Sequence, residues 1–362
     1  MNFSADNPAR PQGHEKRISA VRSLLLLLAA LLLCGCGNGY YRGPVSDHFD
    51  GSKFDNPWDP MPNRFGDFLK WRLTAERGHW PEHVEVSPTL PPARVMGEEL
   101  RVTYVGHATV LLQTRGVNIL TDPIWSERAS PFNFTGPRRV AAPGVKFEDL
   151  PPIDLVLVSH NHYDHLDLPT LKRLHRAFNP LVLTPLGNDV IIKSAIPDMR
   201  LQTLDWGQSF EFGEQMRFVL EPMQHWSARG LFDRLEALWG AFVIDAPGGA
   251  VYFLGDAGYA RHLSEDFVAK YGTPRFSLLP VGAYEPEWFM RYAHMNPDEA
   301  VQTFLDLGQG PAMGTQHEVF PMADEAYAAP RREISEALQS RGVDESLFLL
   351  PKVGEWFTVP PR

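Results

Sequence analysis

Asp154-Leu155-Val156-Leu157-Val158-Ser159-His160-Asn161-His162-Tyr163-Asp164-His165-Leu166-Asp167 joins an unbroken apolar run to three histidines and an aspartate packed between positions 160 and 165. Apolar residues without alternation predict a strand buried on both faces. Beyond the loop, Leu168, Leu171, Leu174 and Phe178 fall at helical spacing, so the histidines sit between the C-terminal end of a strand and a helix. Ligand sites of α/β folds lie in that position. Imidazoles and a carboxylate at this density point to a zinc-type metal site. A polar loop that merely caps the helix is the plainer alternative, and a single histidine would have favoured it.

The chain has 362 residues, enough for one large domain or two small ones. An apolar content of 44% with 22% charged residues is that of a globular protein. The formal charge of −10 argues against nucleic acid as a partner. The two cysteines, Cys34 and Cys36, both lie near the N-terminus. The folded body therefore has neither disulfide nor thiolate, and any metal must be held by His and Asp.

Lys16, Arg17 and Arg22 precede the apolar run Leu24–Leu33, which is the layout of a targeting segment rather than a membrane span. Leu33-Cys34-Gly35-Cys36 resembles a bacterial lipobox. The resemblance implies cleavage before Cys36, lipidation of that residue and a place in the bacterial cell envelope, anchored in the membrane. Residues 1–35 are thus expected to be a lipoprotein signal peptide. Residues 36–95 are expected to form a tether and N-terminal extension, because 37–60 is rich in Gly, Asp, Pro and Asn with no apolar period. Within it, Phe65, Phe68, Leu69 and Arg72 have helical spacing. Packing of that helix onto the body is favoured over contact with lipid or with a second subunit in a homodimer.

From residue 96 to 362 the pattern is that of one catalytic domain. Strands are expected at 101–105, 110–113, 117–121, 181–184, 217–220 and 276–280, with a hairpin over 241–254. A helix is expected from Asn296 or Pro297 to Leu307. Three further ligand candidates each follow a strand: His225, Asp256 and His317. Each singly reads as a loop or cap residue. Set at one end of the same strand-built fold as His160, His162, Asp164 and His165, they become a metal site.

These residues resemble the binuclear site of the metallo-β-lactamase superfamily. The resemblance implies an α/β fold of αβ/βα sandwich type, with two mixed sheets face to face and helices outside. It implies two zinc ions, with iron or manganese as alternatives. One takes His160, His162 and His225; the other takes Asp164, His165 and His317; Asp256 bridges them. Flanking motifs are similar to the N-acylphosphatidylethanolamine-specific phospholipase D branch: Tyr104-Val105-Gly106-His107-Ala108-Thr109-Val110, Leu120-Thr121-Asp122-Pro123-Ile124, Gln224-His225-Trp226 and Val281-Gly282-Ala283-Tyr284-Glu285-Pro286. One departure stands out. The branch has an aromatic after the last histidine ligand, where this chain has Glu318.

The branch implies hydrolysis of a phosphodiester in a phospholipid, giving phosphatidic acid and an N-acylethanolamine. Asp256 and His294 are the catalytic candidates, the latter as a phosphate contact or proton donor. His107, Asp122 and Asp167 are expected to support the ligands, because metal-bound imidazoles donate their other N–H to a carboxylate or carbonyl. For Asp167 a plain helix cap is the alternative, and Tyr163 is expected to line the site. A lactonase or other esterase is the second enzyme reading, and a non-catalytic envelope lipoprotein the third.

Overall fold

Strand β4 (Leu155–Leu157) lacks alternation because both of its faces are covered. Leu155 and Leu157 turn into the core between two sheets, while Val156 and Val158 turn outward beneath helices. Successive side chains of a strand point to opposite faces, so a strand buried on both sides is apolar throughout. The computed structural model describes residues 39–62 and 65–362. The targeting segment and Cys36 lie outside the described residues. Among the described residues, no helix is long and apolar enough to cross a membrane.

The first sheet contains β1 (Leu100–Gly106), β2 (Thr109–Thr114), β3 (Val117–Thr121), β4, β5 (Leu181–Pro185), β6 (Leu201–Leu204) and β14 (Trp356–Val359). Its order is β14-β1-β2-β3-β4-β5-β6. The second contains β7 (Ser209–Phe212), β8 (Met216–Glu221), β9 (Ala241–Asp245), β10 (Val251–Phe253), β11 (Phe276–Pro280), β12 (Ala312–Thr315) and β13 (Phe348–Leu349), in the order β13-β12-β11-β10-β9-β8-β7. Each sheet is antiparallel where hairpins join its strands and parallel where crossovers do. Helices α2 (Leu168–Phe178) and α3 (Asn188–Ala195) cover the first sheet through Leu171, Leu174, Ile191 and Ile192. Helices α4 (Arg261–Tyr271), α6 (Pro297–Asp306) and α7 (Ala329–Ser340) bring Phe267, Val301, Phe304 and Ile334 against the second. This is the expected αβ/βα sandwich.

Helix α6 starts as its sequence predicts. Asn296 accepts from the amide of Glu299 at 2.8 Å, and the Glu299 carboxylate takes the Asn296 amide at 3.2 Å, with Pro297 in the first turn. A short helix, α5 (Glu287–Met290), precedes it. The segment between 40 and 62 corrects the tether expectation. Phe49 and Phe54 are buried in the core between the sheets. Asn56 is wholly buried and donates to the carbonyl of His225 at 2.9 Å. Its apolar residues follow no period because the chain there is irregular, and irregular chain buries side chains singly. Residues 40–362 thus form one unit. Helix α1 (Phe65–Thr74) packs through Trp71, stacked on Phe289 at 5.2 Å, and leaves Leu69 and Leu73 exposed.

Candidate metal centre

The loop after β4 closes on itself through the amides of His165 and Leu166, which both donate to the carbonyl of His162. Arg229 clamps it from outside, its Nη1 2.8 Å from the carbonyls of Asn161 and Leu166 and its guanidinium 4.0 Å from the Tyr163 ring. Two clusters of ligand atoms result.

The first is made of imidazoles. Nδ1 of His162 stands 2.9 Å from Nε2 of His160 and 3.2 Å from Nε2 of His225. The other nitrogens of this set fix which atoms face inward. Nδ1 of His225 donates to the carbonyl of Ala293 at 2.9 Å. Ser159 Oγ spends its own proton on Asp122 at 2.6 Å and so accepts from Nδ1 of His160 at 2.9 Å. Both Nε2 atoms therefore turn a lone pair toward His162. Burial pushes His160 and His225 well below the ordinary histidine range and His162 down to about 4. All three are neutral near pH 7, the state that binds metal. Tetrahedral zinc with bonds of about 2.0–2.1 Å spaces its nitrogens about 3.3 Å apart, close to what is found.

The second cluster gathers around His165. Its Nε2 lies 3.2 Å from Asp164 Oδ2 and 3.1 Å from Asp256 Oδ2. Burial alone would depress His165, but the carboxylates of Asp256, Asp164 and Asp122 outweigh it and hold the imidazole well above its usual range. A cation held by these residues would take over that charge. His107, in the turn after β1, donates to Asp164 at 2.8 Å. Asp122 is wholly buried and accepts from Nδ1 of His165 at 2.6 Å and from the amide and hydroxyl of Ser159 at 2.7 and 2.6 Å. Asp256 reaches in because Gly255, at φ 70°, lets the chain pass where a Cβ would come within 2.8 Å of Ser159. The second oxygen of Asp256 is buried without a hydrogen-bond partner. This orphaned oxygen and the converging lone pairs of the first cluster fit divalent cations.

His317 is not brought to either cluster. Its ring lies against Tyr104 at 5.2 Å, and Nδ1 is 3.6 Å from Glu318. The residue that arrives is Gln316, with Nε2 3.1 Å from Nε2 of His165. The physical reason is local. Gln316 and Glu318 both hold left-handed backbone, φ 63° and 60°, which costs about 1–3 kcal/mol each and persists where the surroundings enforce it. The amide of Gln316 is tied to the carbonyl of His107, and Glu318 is held by Arg331 through two contacts of 2.8 Å. Shifting the reading by one residue puts Gln316 in the ligand position and His317 in the aromatic one, which replaces the departure noted above with a glutamine where the branch has its last histidine ligand.

Asp167 also stays away from the clusters. It accepts from Thr170 Oγ1 at 2.6 Å and Ser126 Oγ at 2.8 Å, tying the start of α2 to the loop after β3. His294 does approach, with Nδ1 3.9 Å from Asp256. It opens with His162, Tyr163, Asp164 and Asp256 onto a cavity of about 480 Å³. The cavity walls include Trp71, Trp226, Leu231, Phe289, Met290 and Met322, with Arg234 among them. Sequence reading gave no role to Ser159, and none to Asn56, Arg229 and Arg234, which belong to no recognisable spacing.

Residues 117–316 match the beta-lactamase superfamily domain. N-acyl-phosphatidylethanolamine-hydrolyzing phospholipase D 1 of Caenorhabditis elegans is 33% identical over 336 residues, covering 86% of this chain and 94% of that one. The mitochondrial N-acyl-phosphatidylethanolamine-hydrolyzing phospholipase D of Saccharomyces cerevisiae is 29% identical over 70% of this chain and 54% of its own length. Among solved structures, the isothiocyanate hydrolase from Delia radicum gut bacteria superposes with a TM-score of 0.57 at 21% identity, over 72% of this chain and 100% of that one. The last is a likeness of fold alone. The chain belongs to the metallo-β-lactamase superfamily, in its N-acylphosphatidylethanolamine phospholipase D-like branch. It is a metal-dependent hydrolase.

Proposed function

We propose that the protein hydrolyses the phosphodiester of N-acylphosphatidylethanolamine to phosphatidic acid and N-acylethanolamine, using two divalent cations, the first of them zinc. The observation that carries this reading is the cavity. Its floor is the polar cluster of His162, Asp164, Asp256 and His294, and its walls are apolar. A volume of about 480 Å³ lies in the range of sites that enclose drug-sized ligands. Leu231, on the cavity wall, and its neighbour Phe232 are exposed, as are Leu73, Phe132 and Phe134 elsewhere on the surface. A lipid surface is a setting that such side chains suit. The lipobox-like segment ending at Cys36 agrees with an envelope enzyme held in the membrane.

When bound, the cations supply Lewis-acid stabilisation of phosphoryl oxygens and lower the pKa of a water toward neutrality. The protein's own part is positioning. Asp122 and the carbonyl of Ala293 set the imidazole tautomers, His107 holds Asp164, and the apolar walls exclude bulk water from the floor. His294 stands beside Asp256 with Nδ1 buried and unpartnered, placed to donate a hydrogen bond to a phosphoryl or leaving oxygen.

A panel of N-acylphosphatidylethanolamine vesicles, a simple phosphodiester and a lactone tests the reading. Release of N-acylethanolamine is expected, with the lactone untouched. Opening of the lactone alone overturns it. His294→Ala is expected to keep its metal content and to lose about 10²-fold in turnover, in the range of a lost proton-transfer or charge-stabilising group. Unchanged turnover removes His294 from the reaction.

A further inference from the structure

The two ligand clusters are chemically unlike. The first offers three neutral imidazoles. The second offers one imidazole, His165, two carboxylates, Asp164 and Asp256, and the side-chain amide of Gln316. Gln316 is buried, and its Oε1 has no hydrogen-bond partner. Half a turn about the Cγ–Cδ bond exchanges Oε1 for the Nε2 that now stands 3.1 Å from His165, so the carbonyl oxygen can face the centre of the second cluster. Imidazoles suit zinc, whereas carboxylate and carbonyl oxygens suit harder cations such as manganese or magnesium. An amide oxygen is also neutral and a poorer donor to zinc than an imidazole. The side chain that could have supplied a further imidazole, His317, is turned away against Tyr104.

We propose that the protein is built for two different metals: zinc held tightly by His160, His162 and His225, and an exchangeable harder cation, Mn²⁺, at Asp164, His165, Asp256 and Gln316. This rests on the metal-hydrolase reading and adds to it that Gln316 sets the second position's choice of ion. Zinc at the second position is expected to bind about 10–100-fold more weakly than it would with an imidazole there, a step of the size that changes of supporting groups produce in metal sites.

The test needs no turnover. The full-length protein is stripped with chelator, reloaded with zinc, dialysed against zinc-free buffer and analysed for metal. One retained zinc per chain is expected, and Mn²⁺ added to that form is expected to bind once more, seen as loss of the free-ion electron paramagnetic resonance signal. Q316H is expected to retain two zinc ions and to leave no position open to Mn²⁺. H317F, which keeps a ring against Tyr104, is expected to retain zinc as the natural protein does. Two zinc ions held equally tightly by the natural protein overturn the inference and leave the hydrolase reading intact. Loss of the second metal in H317F overturns the assignment to Gln316. A folded protein that retains no zinc and binds no Mn²⁺ overturns both readings.

Discussion

Asp256→Asn is expected to lower metal content and turnover together, turnover by at least about 10²–10³-fold, the scale on which a preorganised charge stabiliser acts. Two unit charges 4 Å apart at an effective dielectric of about 20 interact by about 4 kcal/mol. Two divalent cations repel by roughly four times that, so an anion between them decides whether both stay. The resemblance to the superfamily assigns that place to Asp256. One oxygen is 3.1 Å from His165, and the other is buried and unpartnered, while its charge also acts on His162 and His225. The asparagine keeps the volume and removes the charge, so the fold survives and the loss is electrostatic. Metal analysis, steady-state turnover and circular dichroism on one preparation make the measurement. Full metal content with unimpaired turnover excludes a bridging role for Asp256.

Asp122→Ala is expected to destabilise the protein itself. It leaves three buried donors without an acceptor: Nδ1 of His165 and the amide and hydroxyl of Ser159. Removing one partner of a buried charged pair costs about 3–5 kcal/mol, a large share of the roughly 5–15 kcal/mol that holds a domain folded. The variant also frees the tautomers of His160 and His165. Metal affinity is therefore expected to fall by about 10–100-fold in whatever fraction folds. A urea titration of the metal-free protein reads the first effect as a lower midpoint, and competition with a chromophoric chelator reads the second. A midpoint and an affinity both equal to the parent's show that Asp122 supports neither.

Much of this architecture was legible before the fold was known, and the reason is local. β4 announces itself because both faces are covered, so Leu155, Val156, Leu157 and Val158 all had to be non-polar. Helix α2 is readable over its full span, Leu168–Phe178, from the spacing of its apolar residues. His160, His162, Asp164 and His165 sit within one turn of chain, so no folding is needed to see that they meet. Asp122 was legible for a different reason: imidazole ligands need a second acceptor, and this buried carboxylate follows the neighbouring strand β3. The segment 40–62 was illegible because its buried residues, Phe49, Phe54 and Asn56, obey no period and are recruited by surfaces folded from distant chain.

The sequence by itself determined the metal loop, the chemistry of its ligands and most strands and helices, since each rests on contacts between near neighbours or on strand and helix periods, and the sandwich followed from the resemblance of the motifs to the superfamily. Only the tertiary structure decided which of Gln316 and His317 faces the centre. Both are buried, both could serve, and they are adjacent in the chain. Next to a strand, adjacent side chains point opposite ways, and here the left-handed turn at Gln316, the tie to His107 and the Glu318–Arg331 pair choose between them. A histidine one residue from the ligand position is, in space, on the other side of the chain, and composition carries no record of that.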